Sequence, residues 1–140
     1  MLSYQKKPMK KFLLATCLFI IVSCSKKEEL NKTFIGYLDF DFTNSPTMIP
    51  AGEKIISNVK IEFPAGGEIN FTGFEIKEIL PRQFNITANA VFENWNTQIS
   101  LPAFYRFDTT VSINTTNSGL YILKFYNTPT LFKSDTVIVN

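Results

Sequence analysis

Apolar and polar side chains alternate along most of the chain from Phe34 onward. In IISNVKIEF, residues 55–63, every second residue falls on one mostly apolar side. QFNITANAVFE, residues 83–93, alternates in the same way and places Asn85, Thr87 and Asn89 on its polar side. A repeat of two is the period of a β-strand with one buried face and one wet face. The alternation therefore predicts a chain built from strands.

Turn-forming clusters separate these stretches. They are TNSP at 43–46, PAGG at 64–67, ENWN at 93–96, TNSG at 116–119 and NTPT at 127–130. Shorter strands are predicted at 34–42, 69–71, 74–79, 110–114, 120–126 and 136–139, and residues 98–107 also alternate. No stretch of ten or more residues after Cys24 shows helical spacing with good caps. We therefore predict an all-β fold, a single antiparallel β-sandwich of about seven to nine strands over residues 34–140.

The stretch NSGLYIL, residues 117–123, narrows the type of sandwich. Asn117, Gly119 and Tyr121 have the spacing of the tyrosine corner of immunoglobulin-like domains, in which a tyrosine hydroxyl bonds to the backbone of the preceding loop. Leu123 lies two residues after the tyrosine, at the position where antibody domains have a cysteine. We predict an immunoglobulin-like sandwich that closes with a hairpin of residues 120–126 and 132–139. The alternative is a tyrosine that merely follows a turn.

The first 23 residues have the pattern of a signal peptide. Lys6, Lys7, Lys10 and Lys11 make a positive patch, and residues 12–22 then run apolar with one threonine. As a helix, this apolar run spans about 17 Å, too short for a hydrocarbon core of about 30 Å. A positive patch, a short apolar run and small residues together indicate secretion. The start can be Met1 or Met9.

The last four residues of this pattern, Ile21-Val22-Ser23-Cys24, resemble the lipobox of bacterial lipoproteins. The resemblance implies that residues 1–23 are removed, that the Cys24 thiol carries diacylglycerol and that the new N-terminus is acylated, as with palmitate. Membrane lipid is then a partner through Cys24, and two or more acyl chains anchor a protein stably. Isoleucine at position 21 departs mildly from the usual leucine. The alternatives are an ordinary signal peptide with a free thiol and a membrane-spanning helix.

Residues 24–33 are predicted to be the lipidated cysteine and a short flexible tether. Within them Lys26, Lys27, Glu28 and Glu29 are similar to the export signal of Bacteroidota lipoproteins. That resemblance implies an outer-membrane lipoprotein on the cell surface, and the alternative is a solvated tether that faces the periplasm. The span from IPAGEKIISNVKIEF, residues 49–63, to the closing YILKFYN and SDTVIV, residues 121–127 and 134–139, also looks like a family of small Bacteroidota lipoproteins of undefined function. That resemblance implies no activity.

The composition argues against catalysis and against binding of nucleic acid. Four of the 14 basic residues precede Cys24, which leaves ten basic and twelve acidic residues. We therefore expect no basic surface and no nucleic-acid partner. The chain has no histidine, which removes the common catalytic triads and zinc sites. We therefore predict no enzyme activity and no cofactor. We also predict no metal site, because Asp39, Asp41 and Asn44 are not accompanied by the glycine and the distal glutamate of a calcium-binding loop.

The candidate ligand-binding residues surround the only tryptophan. Trp95 lies between Asn94 and Asn96 in a segment that reads as a polar loop. An indole face and neighbouring amides are what a sugar-binding surface needs, whereas the alternative is an indole that plugs one end of the sandwich. Phe104 and Arg106 fall on one face of the next strand and are included as candidates.

Two threonines are candidate modification sites. Asp108-Thr109-Thr110 and Asp135-Thr136-Val137 resemble the signal at which Bacteroidota O-glycosylate exported proteins, which implies attachment at Thr109 and Thr136. Together these features predict a lipid-anchored, non-catalytic binding module of the cell envelope with a protein or glycan ligand. The alternative is a structural or accessory subunit of an outer-membrane transport, secretion or motility complex.

Overall fold

The computed structural model describes residues 32–95 and 104–140, which form strands joined by short turns. The strands are β1 Lys32–Asn44, β2 Met48–Ile49, β3 Lys54–Pro64, β4 Glu68–Leu80, β5 Gln83–Trp95, β6 Phe104–Asn114, β7 Gly119–Asn127 and β8 Thr130–Val139. Eight strands and no helix in these ranges confirm the all-β prediction. Within the same ranges there is no helix of the length and apolar character needed to cross a bilayer.

Hydrogen bonds join the eight strands into one curled, mixed sheet. The strand order is β2-β8-β7-β5-β1-β3-β6, and β4 pairs with β5 outside this path. The prediction of an antiparallel sheet is wrong for two pairs, because β2 runs parallel to β8 and β5 runs parallel to β7. Between β5 and β7 the chain makes β6, which pairs with β3, and it returns to β5 in the same direction. Parallel and antiparallel strands share the side-chain period of two, so alternation does not distinguish them.

The sheet curls at β1. Residues Lys32 to Leu38 of this strand pair with β5, and residues Asp39 to Asn44 pair with β3. The strand changes partner between Leu38 and Asp39, and its register against β3 shifts between Phe40 and Phe42. Both parts of the sheet then contribute to a single apolar cluster. This arrangement is compatible with a β-sandwich, and its immunoglobulin-like type stays a prediction.

The core contains apolar residues from both parts of the curled sheet. Its members with at most 1% exposure are Ile55, Ile61, Ile86, Ala88, Ala90, Val111, Leu123, Phe125 and Val137. Fully burying a side chain such as valine, leucine or phenylalanine stabilises the fold by about 1.5–3 kcal/mol. The ring of Phe40 meets Phe125 edge-on at 5.3 Å between centroids and stacks on Phe74 at 6.2 Å. The predicted inward faces of β3 and β5 are confirmed.

A polar network ties β3 and β8 to the end of β1. Ser45 Oγ donates to Asp135 Oδ2 at 2.7 Å and lies 2.8 Å from Ser57 Oγ. Lys133 Nζ lies 3.0 Å from Asp135 Oδ1 and donates to the Thr43 carbonyl at 2.6 Å. Ser57 is fully buried, and its hydroxyl needs such a partner to avoid a desolvation cost.

β4 is one strand where the sequence predicts two. It runs from Glu68 to Leu80, and its register against β5 shifts between Phe71 and Gly73. Gly73 has a φ of 113°, a conformation that favours glycine. Gly73 lies in the gap between the two predicted strands, and the structure shows a bulge there through which β4 continues.

The tyrosine corner is present as predicted. The Tyr121 hydroxyl donates to the Asn117 carbonyl at 3.0 Å, and the side chain is 2% exposed. β7 and β8 form the predicted closing hairpin, with Gly119 opposite Val139 at its open end. The hydroxyl therefore holds the loop before β7 against the end of the core.

Candidate functional site

A groove on the outer face of the sheet runs along β5. The alternation that buries Ile86 and Ala88 turns Asn85, Thr87 and Asn89 to the opposite face. β4 covers one edge of β5 from residue 83 to residue 93. The other edge is shared, since β7 pairs with β5 up to Ile86 and β1 pairs with it from Ala88 onward. Thr87 lies between these two pairings and forms the middle of the groove floor.

A single asparagine joins β7 to β1 where these strands meet beside β5. Asn127 Oδ1 accepts a hydrogen bond from the Phe40 N–H at 2.7 Å, and Asn127 Nδ2 donates to the Phe40 carbonyl at 3.1 Å. The side-chain amide thus replaces the pair of main-chain bonds that a neighbouring strand would make. This contact fixes the end of β7 next to β1, and with it the positions of Tyr126 and Tyr37.

The groove has a volume of about 240 Å³ and two different sides. On the β1 and β7 side lie Tyr37 and Tyr126, together with the turn at 128–129. On the β4 side lie Glu75 and Lys77, which sit opposite Thr87 and Asn85 in the strand register. The groove therefore combines aromatic surface, a polar floor and one pair of opposite charges.

The two charges in the groove neutralise each other. Lys77 Nζ lies 2.6 Å from Glu75 Oε1. The hydrogen bond and the negative charge of Glu75 raise the pKa of Lys77 above its ordinary value, so the ammonium stays charged throughout the physiological range. Both side chains reach solvent, so the pair contributes little to stability. Its effect on the site is to leave the groove without net charge.

Three oxygen atoms along β5 are shielded from solvent and lack a hydrogen-bond partner among the described residues. They are Asn85 Oδ1, Thr87 Oγ1 and Asn89 Oδ1. A buried polar group without a partner costs about 1–3 kcal/mol, and such groups normally bond an ordered water or a ligand. Asn85 and Thr87 line the groove, so a ligand with hydrogen-bond donors can satisfy both oxygens when these side chains turn toward it.

A second cavity, of about 420 Å³, lies at the end of the sheet near the tyrosine corner. Its charged residues are already engaged, because Arg82 Nη1 donates to the Ser118 carbonyl at 2.9 Å and Glu78 accepts from the Arg82 N–H at 2.8 Å. None of the unpartnered buried oxygens in the described ranges lines this cavity. This cavity is larger than the groove but offers a ligand fewer polar groups without a hydrogen-bond partner.

The predicted residues Asn94 and Trp95 do not line the groove, although they lie on the same strand. Asn94 and Trp95 are the last two residues of β5, and Trp95 pairs with Lys32 of β1. The prediction that they lie in a loop is therefore wrong, since pairing with β1 extends the strand to Trp95. Asn96 lies outside the described residues. Phe104 begins β6 with its side chain 60% exposed.

Arg106 is held by acidic neighbours. Its Nη2 lies 2.6 Å from Glu62 Oε2, and its Nε lies 3.2 Å from Asp41 Oδ2. The hydrogen bond to Glu62 and the charge of Asp41 raise the pKa of Arg106 further above its ordinary value. Burial and the charge of Glu62 raise the pKa of Asp39 beside them. Arg106 lies on β6 of the part of the sheet formed with β3, so the fold does not bring it into the groove.

The other predicted site residues are placed as follows. Thr109 is half-buried on the inward side of β6, and Thr136 is exposed on β8. Cys24 and the charged residues 26–29 lie outside the described residues. Lipidation, export and glycosylation at these positions stay predictions.

Comparisons of the chain with models of protein families, with curated proteins and with solved structures find no match.

The sequence analysis did not predict the groove, although it did predict the polar face of β5 that forms the groove floor. The alternation in residues 83–93 already placed Asn85 and Thr87 on the outer face. An outward polar residue on a strand is ordinarily solvated, so its presence alone indicates no site. The missing information was which strands flank β5, and thus that Tyr37 and Tyr126 stand beside Thr87.

Proposed function

We propose that the protein is a lipid-anchored, non-catalytic binding module of the cell envelope that holds a small polar ligand in the outer-face groove. The unpartnered oxygens of Asn85 and Thr87 in a groove bordered by Tyr37 and Tyr126 carry this proposal. A site of this kind binds by shape, apolar contact and a few placed polar groups. Binding of this kind does not require histidine, which the sequence lacks.

The anchor in this proposal is Cys24 with its acyl chains. β1 begins at Lys32, so eight residue steps separate the anchor from the sheet. A fully extended chain covers at most about 3.6 Å per residue, which limits the distance between lipid and domain to roughly 29 Å. The module therefore works within a short distance of the membrane, on a ligand of the envelope or one delivered to it.

The experiment fills the groove and asks whether binding is lost. Thr87→Trp places an indole on the groove floor, and Thr110→Trp makes the same change at an exposed outward position of β6. Binding of the mature lipidated protein to immobilised envelope material from its own source organism is compared for both variants. We expect Thr87→Trp to lose binding and Thr110→Trp to keep it. Equal binding by both variants, with unchanged unfolding curves, would rule out the groove as the ligand site.

The side of the membrane is tested separately. Protease is added to intact cells that carry either the natural chain or a variant with residues 26–29 replaced by serine and glycine. If the charged residues are an export signal, the natural protein is digested and the variant is protected. Protection of both, with the protein still bound to membranes, would place the domain in the periplasm.

One surface feature favours the accessory-subunit alternative. Met48, Ile138 and Leu120 lie side by side across β2, β8 and β7, and each is 42–55% exposed. Contiguous apolar surface of this kind is typical of contacts with another protein. A photo-crosslinking residue at Ile138, with one at the exposed Ser134 of the same strand as control, tests this alternative in cells. A single protein adduct at 138 alone would support a subunit role.

A further inference from the structure

The floor of the groove offers side chains and no free strand edge. β5 pairs with β4 on one edge and with β7 and β1 on the other, so both of its edges lie within the sheet. A peptide that binds by adding a strand needs an exposed edge. At this site a ligand must therefore bond to side chains, which disfavours an extended peptide.

The floor presents oxygen atoms at a regular spacing. Asn85 and Thr87 are two residues apart on one strand, so their side chains stand about 6.6–6.8 Å apart along it. The amide oxygen of Asn85 accepts hydrogen bonds, and the Thr87 hydroxyl both accepts and donates. A ligand that carries several hydroxyl groups on a compact frame matches this pattern, because each hydroxyl can also donate and accept.

The tyrosine side supplies apolar surface next to these polar groups. Tyr37 is 52% exposed, and Tyr126 is half-buried beside it. Aromatic rings give large, rigid contact area with a polar hydroxyl at one end. A ligand that fits must therefore have C–H surface as well as hydroxyl groups, a combination found in a sugar ring.

Charge and size restrict the ligand further. The ion pair of Lys77 and Glu75 leaves the groove without net charge, so a strongly ionic ligand gains no advantage there. The volume of about 240 Å³ lies just below the range of roughly 300–1,000 Å³ for pockets that hold drug-sized molecules. One or two rings can occupy it, with further units of a chain in solvent.

We infer that the groove binds a neutral saccharide, with ring C–H surface on Tyr37 and Tyr126 and ring hydroxyls on Asn85 and Thr87. This inference rests on the proposed binding function and names the ligand class of the same site. It assigns recognition to Asn85 and Thr87 in the first half of β5 rather than to the predicted tryptophan segment at the end of the same strand.

The test uses the mature lipidated protein in detergent micelles. Calorimetric titration with cellotetraose, mannotetraose, chitotetraose and a β-linked galactotetraose measures affinity, and NMR shifts of the labelled protein report the site. We expect at least one of these neutral saccharides to bind with a Kd of about 1 mM or tighter and to shift Asn85 and Thr87. Tyr126→Ala and Asn85→Ala should each weaken that binding by about tenfold, the equivalent of one lost contact.

Matched controls separate recognition from folding. Tyr105→Ala and Asn58→Ala make the same changes at exposed positions of the β3 and β6 part of the sheet and should leave the Kd unchanged. Failure of all four saccharides to shift groove residues would overturn the inference, as would binding that Tyr126→Ala and Asn85→Ala leave intact. If envelope material still bound in a way that Thr87→Trp abolishes, the binding function would stand with a different ligand class.

Discussion

The contact between Asn127 and Phe40 gives the sharpest test of how the groove is built. Its amide makes two hydrogen bonds, of 2.7 and 3.1 Å, to the main chain of a residue that is 2% exposed. Asn127→Ala leaves one N–H and one carbonyl without partners, at about 1–3 kcal/mol each. Because Asn127 is only half-buried, water can reach part of the space, and we expect a total loss of about 2–4 kcal/mol.

Equilibrium unfolding in urea measures this loss, provided that the slope of free energy against urea stays the same. For a domain of about 100 residues the loss corresponds to a fall in Tm of at least about 8 °C. Asn58→Ala, on an exposed position of β3, should change stability by less than about 0.5 kcal/mol. A loss that small for Asn127→Ala would refute the account of the β1–β7 junction.

A second substitution at the same position separates the two bonds. Asn127→Asp keeps an acceptor for the Phe40 N–H but sets a carboxylate against the Phe40 carbonyl. That repulsion raises the pKa of the introduced carboxyl, so the variant should gain stability as pH falls through that pKa and the carboxyl can donate. If the free energy of unfolding of Asn127→Asp changed between pH 7 and pH 4 in the same way as that of the natural protein, this explanation would be contradicted.

Three further predictions concern the rest of the fold. Tyr121→Phe removes the hydrogen bond to the Asn117 carbonyl. Because this carbonyl can then bond to water, the free energy of unfolding in urea should fall by only about 0.5–1.5 kcal/mol. Gly36→Ala places a Cβ 2.8 Å from the Phe92 ring and should cost about 1–3 kcal/mol by thermal unfolding; no loss would show that the ring moves freely. The pKa of Asp39 is raised by burial and by a neighbouring glutamate, so its contribution to stability is present at low pH and is lost as pH rises through that pKa. Asp39→Asn should therefore be slightly more stable than the natural protein at pH 7, by less than about 0.5 kcal/mol, and equal to it below about pH 4. A gain that persists at pH 3 would contradict that origin.

Residues whose environment is set within one strand or turn could be predicted from the sequence. The inward face of β3 follows directly from the period of two, and the Tyr121 contact follows from a spacing of four residues to Asn117. The sequence predicts separate strands at 69–71 and 74–79, because it does not show whether a strand stops near Gly73 or continues through a bulge. Local pattern thus predicted the elements better than their extent.

Features that depend on which strands become neighbours could not be predicted. The groove exists because β1 and β7 share one edge of β5, and the Asn127 contact spans 87 residues of sequence to Phe40. Arg106 is predicted to be a ligand contact because it shares a strand face with Phe104, whereas Glu62 on the neighbouring strand pairs with it. Long-range register decides both cases, and a single sequence carries little information about it.

The central claim is that the groove holds the ligand of this module in the cell. A photo-crosslinking aromatic residue in place of Tyr37 tests it directly. The matched control has the same residue in place of Phe42, which is equally exposed but lies on the part of β1 that pairs with β3. After irradiation of living cells, the account predicts an adduct of changed mass at position 37 and none at position 42. No adduct at position 37, or equal adducts at both positions, would contradict it.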